Sequence, residues 1–92
     1  MSELYMQIEW PDKRVDQVHS PSSIIKDFFK NGESLPLSVF ENKVVEALHQ
    51  ASNKFRAKFG FESISALSEI ERIRFMISTM DESNKSVKIV KI

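Results

Sequence analysis

Residues 38–61 read SVFENKVVEALHQASNKFRAKFGF, and within them Phe40, Val44, Ala47, Leu48, Ala51, Phe55 and Phe59 recur at three- and four-residue intervals. That spacing places their side chains on one stripe of an α-helix, so the whole stripe is expected to be core. Glu41, Lys43, Glu46, Gln50, Lys54 and Lys58 fall largely elsewhere on the helical wheel, where charge stays hydrated. Ser38-Val39-Phe40-Glu41 fits a capping box, the serine oxygen accepting from the Glu41 amide and the carboxylate reaching back to the Ser38 amide. At the far end Gly60 accepts the left-handed conformation without a Cβ clash, which lets Phe61 fold back onto the last turn.

Upstream of this helix, Leu4, Met6, Ile8 and Trp10 alternate with Glu3, Tyr5, Gln7 and Glu9, the period of a strand with one buried face. Pro11-Asp12-Lys13 supplies a tight turn into a return strand over residues 14–19, with Lys13 where the backbone most wants glycine. Ser20-Pro21 reads as a helix entrance, serine as cap and proline at the first helical position. Ile24, Ile25, Phe28 and Phe29 then form the apolar face of a short helix that Asn31-Gly32 stops, and residues 31–36 are a loop. A third helix is expected from Ser63 or Ser65, carrying Ala66, Leu67, Ile70, Ile73, Ile77 and Met80 at helical spacing. After a polar break at 81–84, the β-branched segment 87–92 suits a final strand whose lysines discourage edge pairing. A lone hairpin is marginal in water, so the last strand is expected to pair with the first. The expected fold is therefore α+β: a small antiparallel sheet of N-terminal hairpin plus C-terminal strand, covered on one face by three helices in the order β-β-α-α-α-β, as a single domain over residues 1–92.

Ninety-two residues allow one modest core. Thirteen basic and 13 acidic residues cancel, leaving no global field for nucleic acid or an anionic membrane. The chain has no cysteine, which removes disulfides, thiolate nucleophiles and thiolate metal sites. No apolar run reaches the roughly 20 residues of a membrane span, and the N-terminal residues lack the zones of a signal peptide, so the expected location is cytoplasmic.

Neither histidine has a second ligand at a metal-binding interval: His19 sits at an expected strand end and His49 on the long helix. Ser20, Ser22, Ser38, Ser63 and Ser65 all read as candidate helix caps, and two glycines make no phosphate-binding loop. No catalytic residue, metal site or cofactor is assigned. Lys54, Arg56 and Lys58 interleave with Phe55, Phe59 and Phe61, a mixture that single-stranded nucleic acid or an anionic ligand can use. Helical periodicity favours the other reading, in which the phenylalanines are core and the cations a solvated face. Trp10 and Tyr5 are candidate interface anchors, with core burial favoured for Trp10, and the outer sheet face with Tyr5, Gln7 and Val15 is the surface expected for self-association.

Trp10-Pro11-Asp12, Ser20-Pro21-Ser22, Ile25-Lys26-Asp27, Pro36-Leu37, Phe40, Ala47-Leu48, Ala51-Ser52 and Lys58-Phe59-Gly60-Phe61 form an ordered series over about residues 4 to 75. The series resembles the small nitrogen-starvation response proteins encoded in bacterial nitrilase gene clusters. The resemblance implies neighbouring genes for a nitrilase, a radical-SAM protein, an acyltransferase and a flavoprotein, and a role in nitrile or cyanide nitrogen use; it brings no catalytic residues. Lys13 departs from the glycine usual in the family's turn, His19 from an aromatic, and Ser63 lies near a position where many members carry cysteine. Together these readings give a non-enzymatic accessory or regulatory protein acting by protein–protein recognition. Its expected partners are itself or products of the neighbouring cluster genes, with no membrane and with nucleic acid disfavoured, and its candidate contact residues are Tyr5, Trp10, Lys54, Arg56 and Lys58. The alternative is a small-ligand binder or minor enzyme on a nitrile-pathway metabolite, with His19, His49 or Arg56 at the mouth of a pocket between sheet and helices.

Overall fold

Strand β1, Leu4–Glu9, buries Met6 and Ile8 and turns Tyr5 to solvent, as its alternation requires. It pairs along its whole length with β2, Val15–Ser20, from Leu4 opposite Ser20 to Glu9 opposite Val15. The computed structural model describes residues 3–80 and 85–92, so the expected break at 81–84 lies outside the described residues. The remaining elements are a 3-10 helix at Ser23–Asp27, β3 at Ser34–Pro36, α1 at Leu37–Phe59, α2 at Ile64–Ser78 and β4 at Ser86–Lys91. The four strands form one antiparallel sheet in the order β2-β1-β4-β3. Between that sheet and the helices lie Met6, Ile8, Trp10, Val18, Ile25, Phe40, Val44, Leu48, Ile73, Val87 and Ile89, all fully buried.

This order, β-β-3-10-β-α-α-β, corrects the expected β-β-α-α-α-β: two α-helices are present instead of three, and the sheet has a fourth strand. The segment after Pro21 is too short before Asn31-Gly32 to recover the cost of nucleating an α-helix, and it closes as a single 3-10 stretch. Ser22 caps it, accepting from the Ile24 amide at 3.1 Å, while the Ser20 hydroxyl donates to the Ser22 carbonyl. Strand β3 is three residues long and ends in proline, so it carries no alternation to read; proline is tolerated there because β3 is an edge. The capping box at Ser38 does not form either. Helix α1 starts two residues earlier, at Leu37 after Pro36, with no side-chain cap, because the Leu37 amide donates to the Lys85 carbonyl just ahead of β4 at 3.0 Å. Here the chain pairing that runs out of the sheet does the work expected of serine.

The hairpin turn closes through the Lys13 amide donating to the Trp10 carbonyl (2.8 Å) and the Trp10 amide to the Arg14 carbonyl (2.9 Å). Lys13 has φ +76°, the left-handed backbone its position demands. Asp12 braces the turn, and the Arg14 amide, with the Arg14 guanidinium at 2.7 Å, holds its carboxyl below the usual range.

Helix α2 is fixed to the sheet by one polar latch. Asp16 of β2 accepts from the Trp10 indole N–H (2.9 Å), from Arg72 Nη1 (2.8 Å) and from the Gln17 amide (2.7 Å). Arg72 also forks onto Glu69, at 2.9 and 3.0 Å, and donates to the Gln17 carbonyl at 2.9 Å. Glu69 in turn accepts from the His19 amide at 2.8 Å. Two α2 side chains thus occupy backbone groups on the free edge of β2, which otherwise would invite pairing with another chain. Burial pushes the Asp16 carboxyl up, yet the hydrogen bonds from Arg72, Trp10 and Gln17 outweigh it and hold it below its ordinary value of 3.8. The same contacts, Glu69 foremost, stabilise the charged form of Arg72.

Two expectations follow. Lys13→Gly should stabilise the fold by about 0.5–1 kcal/mol, the left-handed strain relieved less the extra chain entropy of glycine, whereas Gly60→Ala, at φ +87° with open space for a Cβ, should cost about 1 kcal/mol from backbone strain alone. Urea midpoints of the two variants should move in opposite directions. Because the folded Asp16 carboxyl titrates below its unfolded value, its contribution is complete above roughly pH 4 and fades as pH falls through the folded value. Asp16→Asn should therefore cost about 1–3 kcal/mol at pH 7, and the gap to wild type should narrow in unfolding curves run toward pH 3; a gap that widens in acid would contradict the latch.

Candidate functional site

Burial along α1 runs from Leu37 to Ser52 and then stops, although the apolar stripe continues through Phe55 and Phe59. At the helix end Gly60 turns left-handed, its amide donating to the Arg56 carbonyl at 2.8 Å. The reversed chain lays Phe61 against Phe55, ring centroids 5.8 Å apart and steeply tilted, while Phe59 meets the same ring at 4.6 Å. Ser63 then starts α2: its hydroxyl accepts from the Ala66 amide at 3.2 Å, and its own amide donates to the buried Ser52 hydroxyl at 3.4 Å. That bond ties the turn back to α1. Phe59, Phe61 and Ile64 are left 44, 63 and 79 % exposed beside half-buried Phe55.

Two open hollows flank Phe55 and Pro21, which line both. The first, about 180 Å³, runs past Ser22, Ser23 and Phe59 under Lys54 and Lys58. The second, about 290 Å³, is bounded by Phe61, Ile64, Ser63 and Ser65 with Glu3 and Glu62 at its rim. Lys58 Nζ lies 5.7 Å from the centre of the Phe59 ring, within cation–π range. Among the described residues Lys54, Arg56, Lys58 and Glu62 make no ion pair, whereas Glu3 sits 2.8 Å from His19 Nε2. Each hollow is below the size that encloses a drug-sized molecule, but an aromatic floor with charged rims is the composition of a protein contact patch.

Of the expected contact residues, the structure brings Lys54 and Lys58 together on this groove and leaves Arg56 exposed on the same helix outside it. Tyr5 lies elsewhere, on the uncovered sheet face, its ring centroid 5.0 Å from that of His19. Trp10 is buried, edge-on to Phe40 at 5.7 Å and bonded to Asp16, and so offers the surface almost nothing. Sequence reasoning gives Ile64 and Glu62 no site and favours Phe59 and Phe61 as core over a ligand surface shared with the neighbouring cations, whereas the structure leaves both rings exposed. The period of α1 signals an apolar face but says nothing about whether a partner element reaches its end.

His19 is held by Glu3 and Tyr5 on the sheet, and His49 is exposed on α1. Among the described residues no three histidine or carboxylate side chains gather as a metal site, and no helix is long and apolar enough to cross a membrane. A further depression of about 320 Å³ at the hairpin end is walled by Glu9, Lys13, Lys85 and Lys88.

A family model described as nitrogen starvation-induced protein NitG matches residues 5–92. No curated protein and no solved structure matches the chain.

Proposed function

The chain belongs to the NitG family of nitrogen starvation-induced proteins, and from there we propose that it is a cytoplasmic, non-enzymatic accessory protein of the nitrogen-starvation response that acts by protein–protein recognition. Its expected partners are itself or the products of neighbouring nitrilase-cluster genes. The observation that carries this reading is the aromatic groove: three large apolar side chains stand in water at one end of α1, fixed by Gly60 and the Ser52–Ser63 bond instead of hanging on a loose tail. Rigid, clustered aromatic surface with a polar rim is what marks interaction sites on soluble proteins. Phe59 and Phe61 are the anchors, and Lys54 and Lys58 orient the partner.

The interior supports the same preference over a small-molecule pocket, since the space between sheet and helices is filled by Met6, Trp10, Phe40 and their neighbours. The reading is tested by immobilising the chain and offering purified prey: a differently tagged copy of itself and each neighbouring cluster product. At least one prey should be retained well above an unrelated domain of similar size, and the double variant Phe59→Ser, Phe61→Ser should reduce retention by about tenfold or more, in line with the loss of two hot-spot aromatics. Retention of none, or retention indifferent to the double variant, would contradict it.

A further inference from the structure

The groove has two halves of opposite sign. Lys54 and Lys58 rim the hollow on one side of Phe55 and Pro21, and Glu62 and Glu3 rim the hollow on the other. An acidic partner would complement only the first half and would meet Glu62 across the second; a basic partner would do the reverse. A surface of the same composition, turned by half a rotation, complements both halves at once. We infer that the occupant of the aromatic groove is a second copy of this chain, docked about a two-fold axis close to Phe55 and Pro21, with the lysines of each copy over Glu62 of the partner subunit. The inference rests on the recognition reading above and names its partner.

Several observations favour that occupant. A two-fold interface uses one patch twice, so the patch must be self-complementary in charge and shape; here the two shared residues, Phe55 and Pro21, lie between a cationic lobe and an anionic one. Lys54, Lys58 and Glu62 are without ion pairs among the described residues, so their charges are available across such an axis. Phe59, Phe61 and Ile64 would be the apolar centre, removed from water by their equivalents. The chain's formal net charge of zero opposes no approach of like copies.

Charge reversal gives a test specific to two-fold docking. Lys58→Glu should oppose two like charges at each end of the interface, and Glu62→Lys should do the same with opposite sign. In sedimentation over a range of concentrations, each single variant should dimerise about tenfold or more weakly than wild type. Mixed in equal amounts, the two variants should recover dimerisation to within about threefold of wild type, because the contact between positions 58 and 62 is again between opposite charges at both ends of the mixed pair. Glu71→Lys, exposed on α2 outside the groove, should leave the wild-type equilibrium unchanged, and circular dichroism should report the same fold for all four proteins. Wild-type association should also weaken as salt is raised.

A wild-type chain that stays monomeric at the highest concentration, or single variants that associate as well as wild type, would overturn the inference. So would variants that weaken association but do not rescue one another. If cluster products are nevertheless retained through Phe59 and Phe61, the recognition reading stands with a different partner; if they are not retained either, both fall.

Discussion

Helix α1 is longer than the surface available to bury it. Its 23 residues extend about 34 Å, against roughly 20 Å for a six-residue strand, and the molecule's longest dimension is 39 Å. Sheet and α2 cover the helix as far as Ser52. Beyond that point the same apolar stripe runs on beside only Phe61 and the open hollow at Pro21 to Ser23, which leave Phe55 half-buried and Phe59 exposed. The candidate site is therefore a product of a mismatch in length, and its aromatic side chains are the unburied remainder of a core stripe. Gly60 converts this remainder into a defined surface by turning the chain back so that Phe61 lies against Phe55.

The latch around Asp16 sets where the second wall of the groove stands. Arg72 and Glu69 bind both a carboxylate of β2 and the outward backbone groups of Gln17 and His19, so α2 cannot slide along the sheet without leaving charged and polar groups unmatched. With α2 fixed there and Ser63 tied to Ser52, Ile64 and Glu62 are held beside Phe55. The latch also closes one edge of the sheet, and Pro36 blunts the other. Protein contact through strand addition is thereby disfavoured at both edges, which leaves side-chain surface for the recognition proposed above.

Much of this architecture is legible in the sequence. The stripe of α1 as far as Ala51, the alternation of β1, the turn at Pro11-Asp12-Lys13 with its strained lysine, and the Gly60 stop all arise from local spacing or local backbone chemistry, and the structure realises each of them. Ser63 as the cap of α2 is of the same kind. What local pattern cannot supply is the identity of a distant partner. The Leu37 amide is satisfied by Lys85, far along the chain, so the serine that looked like a cap is not used. Strand β3 exists because β4 is there to pair with it, not because three residues ending in proline favour extension. Phe59 looks like core for the same reason: periodicity predicts which face is apolar, and only the tertiary fit decides where cover ends. Asp16 and Arg72, 56 residues apart, likewise carry no joint signal in sequence.

The most direct test of this account compares two phenylalanines of one stripe, Phe40 under cover and Phe59 beyond it, by unfolding Phe40→Ala and Phe59→Ala in urea at a protein concentration low enough for the chain to be monomeric. Removing the fully buried Phe40 should cost about 3–5 kcal/mol, and removing Phe59 should cost about 1 kcal/mol or less, the value of its ring contact with Phe55. Equal and large losses at both positions would mean that the stripe is buried to its end and that no aromatic surface stands ready for a partner.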